Sequence, residues 1–219
     1  AGTSFVETKG TPMTTGIPTV FGGPVVSWTI NPGLPTGLNI DSSTGEISGT
    51  PSVLSTLTTY TITATNSGGS TTATIDITIN DIIPSTVSYV PDTYTFTKGT
   101  SDSTSTPNAN GGPVVSWEIH PTLPNGLSID SSTGQISGTP TTLSTIQTYT
   151  VYANNSGGSA TTTIDITVND IIPSLITYSS SAFVETRDTA MTTGIPSVSG
   201  GPVVTWSIAP ALPTGLDID

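Results

Sequence analysis

Apolar and polar residues alternate along most of this chain, with the period of two that is typical of β-strands. In residues 60–64 and 75–79, Tyr, Ile and Ala alternate with Thr or Asp. Turn-forming Gly, Pro, Asn and Asp separate such runs. Since no stretch has the spacing of an amphipathic helix, the pattern predicts an all-β protein with about seven short strands in each domain.

The strand after residues 22–24 carries the largest side chain of the pattern. Val26, Trp28 and Ile30 share one predicted face, opposite Ser27 and Thr29. Because the Trp alternates in phase with Val and Ile, we expect these side chains, and the matching Trp117 and Trp206, to lie in the core rather than to form a stacking platform for sugar rings.

One motif returns at a fixed interval. The string LPTGLNIDSSTGEISGTP at 34–51 recurs at 123–140, and its first half recurs at 212–219. The three Trp residues of the chain also lie 89 residues apart. The chain is therefore a tandem array, which we divide into repeat 1 (residues 1–84), repeat 2 (85–173) and a third unit (174–219) that holds the N-terminal half of a repeat.

The repeated motif predicts a tight hairpin. Leu38 and Ile40 face one side of a short strand, and Ile47 continues that face in the next. Between them, Asp41 can accept backbone N–H groups, and Gly45 tolerates the positive φ that closes such a turn. The turn thus explains the repeated Asp without a catalytic role.

This motif resembles a known family. Its Ile-Asp-x-x-Thr-Gly-x-Ile core is similar to the same element in cadherin repeats. The longer string, with GGPVVSWTI (22–30) and the strands at 59–81, resembles the immunoglobulin-like (cadherin-like) tandem repeats of large surface proteins of bacteria and archaea. The resemblance implies β-sandwich domains and an extracellular, cell-surface location.

The segment between the repeats is short and contains Pro. Residues 80–85 read Asn-Asp-Ile-Ile-Pro-Ser and recur at 169–174. Because the segment has no Gly run, it predicts a semi-rigid joint and a rod-like array. The third unit lacks half its strands, so we expect it to be completed either by further chain or by strands from another chain.

Composition excludes several functions. Lys and Arg total 3 against 15 Asp and Glu, a net charge of −12 spread over all three units. This argues against nucleic acid, which needs clustered Lys or Arg, and against contact with anionic membranes. The absence of Cys excludes disulfides and thiolate chemistry.

The joints carry the best metal candidates. In cadherins an Asp-x-Asn-Asp string binds calcium between domains; the resemblance places Asn80, Asp81, Asn169 and Asp170 at the matching positions, with Thr78 in place of the first Asp. Calcium takes six to eight oxygen ligands, more than these residues supply alone. We therefore expect weak calcium binding at most, and the alternative is a capped turn at the joint.

No nucleophile, base and orienting group are spaced as a catalytic set, and the one histidine, His120, is expected in a surface loop. The chain is thus predicted to be non-enzymatic, without a cofactor. The first hypothesis is a structural segment of an extracellular stalk, fibre or filament, whose partners are neighbouring repeats or subunits. The alternative is an adhesin module that binds a glycan or a protein, with calcium possible at the joints. Contacts are expected where the copies differ, at 1–20, 90–110 and 179–199.

Overall fold

A computed structural model describes residues 3–218, which contain eighteen β-strands and no helix. The all-β prediction is therefore confirmed. No helix long and apolar enough to cross a membrane is found among the described residues. The strands, in chain order, are β1 (Thr3–Thr8), β2 (Met13–Thr14), β3 (Ser27–Asn31), β4 (Leu38–Ile40), β5 (Ile47–Gly49), β6 (Ser55–Asn66), β7 (Gly69–Asn80), β8 (Pro84–Ser88), β9 (Thr93–Thr97), β10 (Asp102–Ser103), β11 (Asn108–Gly111), β12 (Ser116–His120), β13 (Leu127–Ile129), β14 (Ile136–Gly138), β15 (Ser144–Asn155), β16 (Gly158–Asn169), β17 (Leu175–Thr177) and β18 (Ser197–Ser199).

Repeat 1 is a sandwich of two sheets. One sheet has the order β1-β7-β6-β3, and the other has the order β2-β5-β4. The strand β1 runs parallel to β7, whereas β6 and β7 form a long antiparallel hairpin whose turn follows Asn66. The alternating Ile residues of β7 place Ile77 and Ile79 in the core, where both are buried.

Repeat 2 has the same two sheets and one additional strand pair. The order β12-β15-β16-β9 matches the larger sheet of repeat 1, and β10-β14-β13 matches the smaller. In addition, β8 pairs antiparallel with β11. The short segment before repeat 2 is therefore more than a joint, because its C-terminal part is a strand of that repeat.

The predicted core positions are largely confirmed. Trp28 and Trp117 are buried among the Ile and Ala side chains of their repeats. The prediction for Val26 was wrong, because its side chain is 73% exposed. The strand begins only at Ser27, so the alternation does not extend back to residue 26, and it is Val25 that packs against the core.

The third unit contains only the pair β17 and β18 among its described residues, 174–218. Trp206 is partly exposed there and Ile208 is 48% exposed, whereas the matching Trp side chains of the two repeats are buried. Residues 174–218 thus bury little apolar surface by themselves.

Candidate functional site

The hairpin turns are built as the sequence predicts. Asp41 Oδ1 accepts hydrogen bonds from the Ser43 and Thr44 backbone N–H groups, at 2.7 and 3.0 Å, and from the Ser43 hydroxyl. Asp130 does the same in repeat 2. The Ser43 hydroxyl, followed by the two N–H groups, lowers the pKa of Asp41. These carboxylates are occupied in shaping the turn.

The segment that joins repeat 1 to repeat 2 is held by repeat 2. The Asp81 N–H donates to Ser156 Oγ at 2.9 Å, and Asn155 Nδ2 donates to the Ile82 carbonyl at 2.7 Å. The Gly112 N–H donates to the Ile83 carbonyl at 3.3 Å. Three successive residues of the segment therefore each make a hydrogen bond to the following repeat.

Glycines allow this close approach. We call residues 111–112 and 155–158, which surround the segment, the linker seat of repeat 2. A Cβ on Gly112 would lie 1.8 Å from the Ile82 carbonyl oxygen, and one on Gly157 would lie 2.1 Å from that of Asp81. A side chain at either position would displace the segment.

The third unit repeats half of this arrangement. A Cβ on Gly201 would lie 1.6 Å from the Ile171 carbonyl oxygen, and one on Gly200 would lie 2.4 Å from that of Ile172. The Gly201 N–H donates to the Ile172 carbonyl at 3.4 Å. The Gly-Gly pairs at 111–112 and 200–201 therefore both leave room for the backbone of the segment that precedes their unit.

Beyond the seat, the segment enters the core of repeat 2. Pro84, Val87 and Tyr89 are buried, and the Tyr89 hydroxyl donates to the Gly134 carbonyl at 2.6 Å. Burial raises the pKa of Tyr89 far above its usual range. The motif turn and the incoming strand are thus tied together at Gly134.

The four metal candidates have unequal positions. Asp81 is buried, at 6% exposed, while Asn80 and Asp170 are partly exposed and Asn169 is exposed. The backbone carbonyl of Asn80 accepts the Lys9 N–H at 2.8 Å. Within residues 3–218, no three His, Asp or Glu side chains come together in a metal-binding group. Calcium binding at the joints stays a prediction.

His120 lies at the end of β12. Its ring makes an edge-on contact with Tyr152, with ring centroids 5.7 Å apart. Its register partner on β15 is Thr150. His120 is exposed, as predicted, but it is the last residue of a strand, so the prediction that it lies in a loop was wrong.

Comparison with known proteins identifies the repeat. The family described as "Putative Ig domain" matches the chain twice, at residues 2–80 and 76–169. The second match begins in β7, four residues before the joining segment. It therefore includes the strand that the structure places in repeat 2.

A search of characterised proteins finds bacterial adhesins. The chain is 31% identical over 153 residues to "Serine-rich adhesin for platelets" of Staphylococcus aureus, a match that covers 68% of this chain and 7% of that protein. The version from strain MRSA252 matches with the same identity, and 11% of it is covered. The chain thus corresponds to a small part of these relatives.

Solved structures with a similar fold contain tandem immunoglobulin domains. Domains 1–4 of Sidekick-1 align with a TM-score of 0.48 and 16% identity, over 77% of this chain and 48% of that one. The N-terminal four domains of Dscam1 isoform 1.9 align with a TM-score of 0.43 and 14% identity, over 77% and 44%.

Proposed function

The chain belongs to the family described as "Putative Ig domain", and we propose that it forms repeat modules of a cell-surface adhesin. The observation that carries the proposal is the 31% identity to the staphylococcal adhesin, which extends over 68% of the chain. The proposal includes an extracellular location and a binding role rather than a catalytic one.

The adhesive surface in this proposal lies where the copies differ. In repeat 1, Ile17 is 67% exposed and Phe21 is 96% exposed, and repeat 2 has Thr106 and Asn110 at the matching positions. An exposed aromatic side chain is a common anchor in protein recognition. We therefore propose that repeat 1 binds a protein partner on the surface around Ile17 and Phe21.

A second candidate function is spacing. The joining segment is hydrogen-bonded to repeat 2 and partly buried in it, and a joint of that kind limits bending between neighbours. Stacked modules with stiff joints would hold an adhesive region away from the cell. This candidate needs no partner for the chain itself.

Bead attachment separates the two candidates. Beads coated with the purified chain would be added to platelets and to other host cells, with a Phe21→Ser variant as the matched control. Attachment that the Phe21→Ser change weakens is the expected result. If wild-type and variant beads both fail to attach above uncoated beads, the adhesive proposal is wrong and spacing takes its place.

A further inference from the structure

The larger sheets of the two repeats differ on their outer faces, the sides turned away from the core. In repeat 1 the outer positions of β3 and β6 include four small polar residues, Thr29, Asn31, Thr63 and Thr65. In repeat 2 the four matching positions carry larger side chains, those of Glu118, His120, Tyr152 and Asn154. We call these four residues of repeat 2 the outer-face cluster.

The surroundings of the cluster hardly change between the repeats. The buried positions of these strands keep Trp, Tyr and Ala in both repeats, and only Ile62 is replaced, by Val151. The next strand, β16, keeps the outer Ser, Thr and Asp residues of β7. Since the core and the neighbouring strand are the same, packing does not require the larger side chains of the cluster.

Strand pairing places the four residues side by side. Glu118 and Tyr152 are register partners, and the Cβ atoms of such a pair lie about 4.5–5.5 Å apart. The His120 and Tyr152 rings meet edge-on, with their centroids 5.7 Å apart and their planes at 76°. Asn154 lies two residues along β15 from Tyr152, on the same face. At this angle each ring keeps at least one face that the other does not cover.

The polar atoms of the cluster are accessible. Glu118 and His120 are exposed, and Tyr152 is partly exposed. The Ser159 hydroxyl donates to Asn154 Oδ1 at 2.5 Å, which leaves the amide NH2 group of Asn154 as a donor. Among residues 3–218 the one ion pair joins Arg187 to Asp188. The Glu118 carboxylate therefore has no basic side chain to neutralise it in this part of the chain.

We propose that the outer-face cluster of repeat 2 binds a neutral pyranose sugar of a glycan. The C–H groups of a pyranose ring pack on the negative face of an aromatic ring, here that of Tyr152. The Glu118 carboxylate accepts hydrogen bonds from sugar hydroxyls, and the Asn154 amide donates one. His120 bounds the site on one side. This site does not depend on the protein partner proposed for repeat 1.

Charge selects a neutral sugar over an acidic one. Glu118 lies directly beside Tyr152, and the chain as a whole has a net charge of −12. The basic residue of repeat 2, Lys98, follows β9, which is at the opposite edge of the sheet from β12. A carboxylate or sulfate on the ligand would thus be repelled without a compensating cation.

The polar surroundings favour a sugar over a protein. Apart from the cluster, the residues beside Tyr152 on this face are Thr150 and Thr161. A protein interface is anchored by side chains that lie in a fully desolvated, largely apolar centre. Two rings surrounded by hydroxyl, amide and carboxylate groups match the alternating C–H and hydroxyl groups of a sugar instead.

A shallow site of this kind binds a single sugar weakly, with a dissociation constant on the order of 1 mM. NMR titration of the full chain with lactose and with N,N′-diacetylchitobiose, both uncharged, measures binding in that range. The amide signals of residues 118–120 and 150–154 should shift. Those of residues 29–31 and 61–65 should stay in place, because repeat 1 has no aromatic ring on this face. If neither sugar shifts the signals of repeat 2, the proposal is wrong.

Matched variants test the role of each group. Tyr152→Thr installs the residue that repeat 1 has at this position, and it should weaken lactose binding by about tenfold or more. Tyr178→Thr is the control, because it removes a tyrosine that is 41% exposed and lies outside the cluster. Glu118→Gln should weaken lactose binding several-fold and reduce the preference for lactose over 3′-sialyllactose, which carries a carboxylate. Wild-type affinity for lactose in Tyr152→Thr would overturn the proposal.

A peptide of three lysines tests the alternative of a basic protein partner, which Glu118 and the Tyr152 ring would also attract. If this peptide shifts the signals of residues 118–120 and 150–154 and neither sugar does so, the face is a docking surface for a basic protein and the glycan proposal is wrong. Failure of either arm leaves the bead assay of Phe21→Ser unaffected, since that assay concerns repeat 1.

Discussion

Repeats 1 and 2 share a pattern of 89 residues, yet their cores are not built alike. The buried residues of repeat 2 form one continuous cluster that includes Val87 and Tyr89 from the incoming segment and Phe96 from β9. Repeat 1 has Glu7 where repeat 2 has Phe96, and its buried residues form two separate clusters.

The difference teaches that the segment between repeats is a structural part of the repeat that follows it. The second glycine of the Gly-Gly pair, for example, is buried in repeat 2 (Gly112) and exposed in repeat 1 (Gly23). A repeat in this array is therefore completed by what precedes it. The domain boundaries at 84 and 173 stay a prediction, since they were drawn from the spacing of the sequence alone.

The largest expected effect is on Tyr89, which is 4% exposed and bonded to Gly134. Tyr89→Ala should destabilise repeat 2 by about 3–5 kcal/mol, the usual cost of removing a buried aromatic ring. Tyr89→Phe should cost only about 1 kcal/mol, since it removes the hydrogen bond and keeps the ring. Urea unfolding followed by NMR signals of each repeat would measure both, with repeat 1 as the internal control. An equal loss in repeat 1 would contradict the assignment of this segment to repeat 2.

A pair of matched glycine variants should have a smaller effect. Gly112→Ala places a Cβ against the Ile82 carbonyl and should destabilise repeat 2 by about 1–3 kcal/mol, as overpacking does. Gly23→Ala in the dilute chain should change stability by no more than about 0.5 kcal/mol. Thermal unfolding of the two variants at equal concentration compares them, and similar melting temperatures would mean that the segment does not press on Gly112.

Acid should affect the two repeats alike, because their hairpin turns are the same. The Ser132 hydroxyl, then the N–H groups of the turn, lowers the pKa of Asp130. A carboxyl with a lowered pKa in the folded state stabilises the fold above its unfolded pKa, and the stabilisation is lost as pH falls through the folded pKa. An NMR titration should find the pKa values of Asp41 and Asp130 both below the usual range for Asp. Asp130→Asn should remove this acid-dependent loss of stability from repeat 2 only. A pKa in the usual range at Asp41 or Asp130 would contradict the turn geometry.

Calcium should have the smallest effect. Calcium at ten times a dissociation constant would add about 1.4 kcal/mol to stability, a shift of several degrees in the melting temperature. We expect no such shift at millimolar calcium, since Asn80 and Asp81 offer too few oxygens. A shift that Asp81→Asn abolishes and Asp170→Asn preserves would establish a site at the first joint.

Much of the fold could be predicted from the sequence because alternation is a local signal. The Trp28 core position, the hairpin motif and the Asp41 turn all follow from residues close together in the chain. The prediction of a core position for Val26 was wrong because alternation alone does not show where a strand begins. The spacing of the motif also predicts joints at residues 80–85 and 169–174, where the two Asn-Asp pairs lie.

The role of the joining segment could not be read in the same way, because it depends on contacts between distant residues. The hydrogen bond from Asp81 to Ser156 spans 75 residues, and the seat is formed by two separate turns. One signal was available: Val87 and Tyr89 alternate with Ser88, as Ile176 and Tyr178 do with Thr177. That short alternation predicts a strand where the Pro suggested only a stiff linker.

Hydrogen exchange of backbone amides most directly compares the linker seat of repeat 2 with the matching residues of repeat 1. In the dilute full chain, amides of residues 108–112 should be protected by the pairing of β11 with β8 and by the bond from Gly112 to Ile83. Amides of residues 19–23 should exchange at rates close to those of an unstructured peptide. Equal protection in the two repeats would contradict the account, because the joining segment would then make no difference to the repeat that receives it.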